Sequence, residues 1–196
     1  MYFYCNQPEI EKHDHVIFDF EEGIRVVYND PRRFGAIDVC NSMELSTHKM
    51  ISNLGIEPLS NQFNADFLFE KFKGSKTTIK AALLNQRHVC GLGNIYVCEA
   101  LWRSGISPLK LAGQIKINKI ELLTTAIRKV LLEAISSGGS SLKDFKNTEG
   151  ALGYFQHNFN VYDSEGNSCK TVGCCETIKK IVQAGRSTFF CNNCQR

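Results

Sequence analysis

The spacing of hydrophobic and polar positions changes along the chain. His15-Val16-Ile17-Phe18-Asp19-Phe20 and Ile24-Arg25-Val26-Val27-Tyr28 are short β-branched and aromatic runs. Glu21-Glu22-Gly23 between them is turn chemistry, so the two runs predict a β-hairpin. A third strand is predicted over Gly35 to Val39. Three strands alone cannot bury both faces, so this sheet requires partners. From about residue 42 the pattern turns helical, with short helices predicted over 65–72, 78–85 and 94–104. The longest helix is predicted within 115–137. There Ile120, Leu123, Ile127, Leu131 and Ala134 recur at three- and four-residue steps, an apolar stripe suited to a core face. Gly138-Gly139 stops it. Residues 147–168, rich in Asn, Gly and Ser, read as a loop leading into a small domain.

Composition narrows the class. The chain has 196 residues, 43% hydrophobic and 22% charged, as expected of a soluble globular protein. No apolar run approaches the roughly 20 residues of a membrane helix, and Met1-Tyr2-Phe3-Tyr4-Cys5 does not begin a signal peptide. The expected compartment is the cytoplasm. The net charge of +3 says little, but Lys71, Lys73, Lys76, Lys80 and Arg87 cluster along one stretch. Such a run is either a solvated face or a nucleic-acid footprint.

The nine cysteines change the picture more. An odd count without a secretion signal argues against a disulfide framework. Cys169, Cys174, Cys191 and Cys194 form a C-x4-C-x16-C-x2-C pattern. Two thiolates on each of two tight turns can complete a tetrahedral site for one structural Zn2+. Cys175 adjoins Cys174 and competes with it as the ligand; Cys174 is favoured. The β-favouring residues Thr177 to Val182 and Ser187 to Phe190 predict a hairpin between the knuckles. So small a module lacks a core of its own, and the metal supplies its folding energy. Four protein thiolates leave no open position for chemistry.

Two further segments carry candidate chemistry. In Gln86-Arg87-His88-Val89-Cys90-Gly91-Leu92-Gly93-Asn94, two glycines turn the chain and a helix follows. Its N-terminus offers free N–H groups to a phosphate, with the Asn94 amide assisting; otherwise Asn94 is an ordinary N-cap. Arg32-Arg33-Phe34-Gly35, after Asp30-Pro31, is either a surface turn or a probe that wedges an aromatic between bases.

These segments, with others, resemble one family. Lys12-His13-Asp14-His15-Val16, Asn29-Asp30-Pro31-Arg32-Arg33-Phe34-Gly35-Ala36, Leu92-Gly93-Asn94-Ile95-Tyr96-Val97-Cys98-Glu99-Ala100-Leu101 and Gly105-Ile106-Ser107-Pro108 are similar to formamidopyrimidine-DNA glycosylases. So are Gly138-Gly139-Ser140-Ser141-Leu142-Lys143-Asp144-Phe145, Gly153-Tyr154-Phe155 and Gln183-Ala184-Gly185-Arg186-Ser187-Thr188-Phe189-Phe190-Cys191, with Cys194-Gln195 last. The resemblance covers the chain from about residue 11.

It implies a bacterial, nucleoid-associated monomer that excises oxidised purines from double-stranded DNA and then cuts the strand. It implies an α+β fold in three parts. Residues 1–50 would be a partial N-terminal β-sandwich, 51–147 a helix-two-turn-helix module, and 148–196 a lesion loop with the zinc finger. It implies that Asn94 and Lys80 hold phosphates, that His13 contacts the backbone, and that Arg32 and Phe34 fill the space left by the lesion. Arg186 would grip flanking phosphates and take part in the final elimination. Glu99 would support the catalytic terminus, and residues 147–157 would cover the flipped base. The family's nucleophile is an N-terminal proline followed by glutamate. Here Tyr2 follows Met1, and Pro8-Glu9 is an internal dipeptide. The expectation is therefore a chain that binds damaged DNA through a zinc-dependent module, weakly and without excising a base.

Overall fold

The computed structural model of the chain describes residues 1–4, 9–140 and 152–196. It divides into two compact units, Met1–Leu45 with Ala134–His157, and Ser46–Glu133 with Asn158–Arg196.

The first unit carries a three-stranded antiparallel sheet: β1 (Tyr2–Tyr4), β2 (Asp14–Asp19) and β3 (Arg25–Asn29), in the order β1-β3-β2. The predicted hairpin is β2–β3. Gly23 at φ 74° makes its turn, and Arg25 bonds Asp19 at 2.6 Å across it. The predicted strand over Gly35 to Val39 does not form. Those residues have no strand pairing, Val39 is almost fully exposed, and the third strand is β1. A strand exists only where an edge receives it, and residues 2–4 occupy the free edge of β3. Val26 and Val27 on the central strand are buried, while Phe3, Phe18, Phe20 and Ile24 remain exposed. Apolar surface on this sheet is thus left open.

The second unit is built on helices α1 (Ala65–Phe72), α2 (Ile79–Leu84) and α3 (Asn94–Arg103), with most of α4 (Ile117–Ser136). All four fall where the periodicity predicts them. Asn64 caps α1, its Oδ1 accepting from the Phe67 N–H at 2.9 Å. The stripe on α4 is a core face as predicted: Ile120, Leu123 and Ile127 are fully buried against Phe72, Leu83, Val97 and Leu101. Each such side chain contributes roughly 1.5–3 kcal/mol.

The C-terminal hairpin pairs β4 (Ile178–Gln183) with β5 (Arg186–Cys191) in a register that sets Gln183 opposite Arg186. Ala184 and Gly185 form the two-residue turn, both at positive φ (47° and 72°), the geometry that matches strand twist.

Helix α3 links the two apolar clusters of this unit. Val97, Ala100 and Leu101 face the helical core. Cys98 faces a second cluster with Val161, Ile178, Phe189 and two of the metal-spaced cysteines, joined by Trp102 and Tyr162 at its margin. The finger thus folds onto α3 and does not stand alone.

Candidate metal centre and nucleic-acid interface

The sulfurs of Cys169, Cys174, Cys191 and Cys194 all lie within 4.8 Å of one another. Cys169 to Cys194 is 3.8 Å and Cys174 to Cys191 is 3.7 Å. A tetrahedron with 2.3 Å zinc–sulfur bonds has edges of about 3.8 Å. These separations are far beyond a disulfide's roughly 2.05 Å. Four converging thiols at zinc spacing are compatible with one structural zinc. Burial works against the Cys169 thiolate, but hydrogen bonding, with Thr171 foremost, outweighs it and brings the thiol down to about 6. Cys174 belongs to the cluster, while its neighbour Cys175 is exposed outside it. Of the other cysteines, Cys98 is buried, Cys40 and Cys90 are half-buried, and Cys5 lies outside the described residues.

Side chains of the finger reach back to backbone carbonyls of the helical module. Gln195, itself buried, accepts from the Cys191 N–H at 2.9 Å and donates to the Ile106 carbonyl at 2.9 Å. Gln183 donates to the Pro108 carbonyl at 3.3 Å.

The centre of the candidate interface is the Ser187 carbonyl, one residue past Arg186. Lys80 on α2 donates to it at 3.0 Å and to the Thr188 hydroxyl at 2.6 Å. Asn94, the first residue of α3, donates to the same carbonyl at 2.9 Å. Residues 80, 94 and 186–188, far apart in sequence, are thereby brought together.

Two points differ from the sequence reading. Lys80 does not share a solvated face with Lys71, Lys73 and Lys76; it is fully buried. Nor is Asn94 an ordinary N-cap. Gly93 takes that position without a side-chain cap, and the Asn94 amide reaches across to the finger. The first-turn N–H groups of α3 are therefore left without a side-chain acceptor from the cap.

The electrostatics of Lys80 are unusual. Burial lowers its pKa, Cys98 opposes that, and nearby Arg186 adds to it. Its two acceptors, a carbonyl and a hydroxyl, are both uncharged. A buried ammonium without a charged partner is costly, and an anion arriving there would relieve that cost. Arg186 itself is exposed at the hairpin tip.

Glu99 is completely buried. Its Oε1 accepts from the backbone N–H of Asn160, Val161 and Tyr162 at 2.9, 2.9 and 3.0 Å, and its Oε2 from the Asn160 amide at 2.9 Å. Its carboxylate thus fastens residues 160–162 to α3. Tyr162 then packs edge-on to Phe189 of the finger at 5.0 Å, with its hydroxyl 3.5 Å from the Asn94 amide. Tyr162 and Thr188 were not singled out from sequence. A tyrosine in a polar loop and a threonine in a strand carry no signal until tertiary packing buries them.

In the first unit, Asp30 builds the Arg-Arg-Phe turn. Its Oδ1 accepts from the N–H of Arg32 (3.1 Å) and Arg33 (3.0 Å), its Oδ2 from that of Gly35 (2.8 Å), and its own N–H donates to the His13 carbonyl at 3.0 Å. His13, Arg32 and Phe34 thus meet around one aspartate. Arg33 takes a positive φ of 54°, and the Arg32 guanidinium sits 5.1 Å from the centre of the Phe34 ring, which is 81% exposed. A large apolar ring held out in water by a hydrogen-bonded turn is suited to insertion. A Cβ at Gly35 would lie 1.4 Å from the Tyr28 hydroxyl, so any other residue there requires the Tyr28 ring to move.

The Gly35 N–H holds the Asp30 carboxyl below its usual range; burial opposes this, and Tyr28, Arg32 and Arg33 assist. A depressed folded-state pKa stabilises above the ordinary aspartate value of about 3.9 and is lost as pH falls through the lower value. Amide resonances of Arg32, Arg33 and Gly35 are therefore expected to stay constant down to about pH 4 and move together below it. In Asp30→Asn they should show no such step. A step at ordinary aspartate pKa would mean that the turn does not hold the carboxylate. The proposed lesion-covering loop, 147–157, lies outside the described residues over 147–151, and Pro8 of Pro8-Glu9 lies outside them too.

Comparison with known proteins decides the family. Residues 54–146 match the formamidopyrimidine-DNA glycosylase H2TH domain, and residues 174–196 match the zinc finger found in FPG and IleRS. The chain is 53% identical over 194 residues to the formamidopyrimidine-DNA glycosylase of Dinoroseobacter shibae, covering 99% of this chain and 68% of that protein. This chain belongs to the formamidopyrimidine-DNA glycosylase family. The corresponding protein of Rhizobium etli is 49% identical over 203 residues, again with 99% of this chain covered and 69% of the relative. Among solved structures, Lactococcus lactis Fpg in complex with abasic-site DNA superposes with a TM-score of 0.88 at 35% identity, covering 100% of this chain and 70% of that one. MutM (Fpg) of Thermus thermophilus gives 0.87 at 35%, covering 99% and 71%. The α+β fold with its helix-two-turn-helix module and C-terminal zinc finger is thereby that of the family's DNA repair glycosylases. No helix among the described residues is long and apolar enough to cross a membrane.

Proposed function

We propose that this chain grips double-stranded DNA at an oxidised purine such as 8-oxoguanine or a formamidopyrimidine, as a monomer. Lys80, Asn94 and Arg186 act as one phosphate clamp on this reading. The observation that carries it is the convergence of Lys80 and Asn94 on the Ser187 carbonyl beside Arg186, with a buried ammonium that lacks a charged partner. His13 then meets the DNA backbone, and Arg32 with Phe34 enters the gap left by an extruded base. Residues 1–50, 51–147 and 148–196 serve as sandwich part, helix-two-turn-helix module and loop-plus-finger. A mutant of Lactococcus lactis Fpg has been solved with DNA containing Fapy-dG, which supports a lesion of this class.

Excision needs a nucleophilic amine. The nitrogen of Pro8 is acylated by Gln7, so its lone pair is committed to an amide. We propose that residues 1–196 alone hold the lesion without removing it, and that Arg186 contributes to elimination where a nucleophile is supplied. Glu99 takes part by positioning residues 160–162. The test is borohydride trapping of this 196-residue polypeptide on duplex DNA with one 8-oxoguanine. The expected result is a shifted complex with no covalent band. A covalent band would overturn the non-excising reading; no shifted complex would overturn the DNA-gripping one.

A further inference from the structure

The Arg-Arg-Phe turn hangs on Asp30. Its N–H donates to the His13 carbonyl at 3.0 Å, and its carboxylate accepts from the N–H groups of Arg32, Arg33 and Gly35 and from the Tyr28 hydroxyl at 3.2 Å. The carboxylate can order those groups only if the main chain of Asp30 is itself held. Pro31 follows, and a proline nitrogen carries no hydrogen. The Asp30 carbonyl is therefore the one polar handle on the planar peptide group that leads into the turn.

Two donors among the described residues reach that carbonyl. The Arg33 N–H does so at 3.3 Å, from inside the turn. The other is the His15 imidazole, whose Nε2 lies 3.0 Å away. A carbonyl only accepts, so Nε2 carries the proton. His15 is placed there by the register of the sheet. Asp14 pairs with Asn29, and Val16 with the adjacent Tyr28, which leaves His15 as the extra residue of a β-bulge in β2. A bulge bends its strand and re-aims a side chain. The bond from His15 thus ties this peptide group to the sheet, next to Arg33 at its positive φ of 54°.

We propose that His15 is a positioning residue for the Arg32–Phe34 probe: its imidazole N–H holds the Asp30–Pro31 peptide group to β2 and so fixes how Phe34 is presented. The role rests on the reading of Arg32 and Phe34 as the groups that enter the gap in the DNA. Residue 15 lies outside both matched domains, 54–146 and 174–196.

The test uses the full chain at saturation on an 8-oxoguanine duplex, with 2-aminopurine beside the base opposite the lesion. This probe brightens when a wedge unstacks it. His15→Phe keeps a ring and loses the donor, while His15→Gln keeps an N–H at similar reach. The parent chain should brighten the probe, and Phe34→Ala should abolish the rise. His15→Phe should lower the insertion equilibrium about fivefold, the order set by one hydrogen bond, and His15→Gln should restore most of it. Amide resonances of Arg25–Asn29 should stay in place in both His15 variants. A parent-like rise in His15→Phe, with Phe34→Ala dark, would overturn the role of His15 and leave the probe reading intact. No rise with the parent chain, or one that persists in Phe34→Ala, would overturn the probe reading and the role of His15 with it. Failure of His15→Gln to restore the rise, or loss of the β3 resonances in His15→Phe, would also overturn the role, because His15 would then be supporting the sheet and not the turn.

Discussion

Stripping zinc is expected to unfold the C-terminal hairpin and weaken DNA binding by at least about a hundredfold, while leaving the helices folded. Zinc contributes roughly 10–16 kcal/mol of apparent binding energy to small four-ligand fingers, more than any other single contact here. The finger's own cluster consists largely of the ligand cysteines with Ile178, Phe189, Val161 and Cys98. Without the metal, four thiols are left crowded within 4.8 Å of one another with nothing to hold them. The helical core draws on no finger residue: Phe63, Leu68, Phe72, Ile79, Leu83, Ile120 and Leu123 pack among themselves and with α3. Chelation should therefore abolish the amide resonances of 178–191 as dispersed peaks and spare the helical circular dichroism. Fluorescence anisotropy with a labelled duplex reads the loss of affinity. Cys191→Ala should reproduce both effects without a chelator. Unchanged affinity after metal loss would mean that the finger is not part of the grip.

Lys80→Met should weaken binding of the same duplex by roughly 2 kcal/mol, about thirtyfold, with little change in thermal stability. The two effects separate because of where the ammonium sits. It is fully buried, burial pulls its pKa down, and its acceptors are uncharged. In the free protein, methionine keeps most of the volume and removes a poorly compensated charge, while Asn94 still serves the Ser187 carbonyl. In the complex, a phosphate would lose its buried cation. The dependence of log affinity on log salt should also become shallower by about 0.9, the change for one phosphate contact. A variant with unaltered affinity and salt slope would reduce Lys80 to an internal strut between α2 and the finger. A large drop in melting temperature would show that the bond to Thr188 matters more than the buried charge.

Legibility in the sequence followed the range of the interactions concerned. The helices are set by local periodicity, and the stripe from Ile120 to Ala134 located α4 to within two residues at each end. The metal centre was legible because thiolate geometry restricts spacing so tightly that C-x4-C and C-x2-C stand out. The sheet was less so. β1 has only three residues, and its existence depends on pairing with Arg25–Val27, more than twenty residues away. Gly35 to Val39 has strand-like residues, yet the hydrogen bonds of Asp30 turn the chain before it and no edge receives it. The burial of Lys80 was equally hidden. A lysine beside other lysines reads as a surface residue until the fold brings Thr188 over it. Asn94 and Glu99 could be marked as candidates from motif and resemblance, but their partners, Ser187 and residues 160–162, come only from the fold.

On the proposed reading, Lys80 and Arg186 act on one phosphate group and are held together by the finger. A double-mutant cycle on an 8-oxoguanine duplex tests this directly, comparing the parent chain, Lys80→Met, Arg186→Ala and the double variant. If the two side chains share one clamp, the double variant should bind hardly more weakly than the worse single variant, a coupling of about 1 kcal/mol or more. Losses that simply add would contradict it, because the two residues would then be acting on the DNA independently.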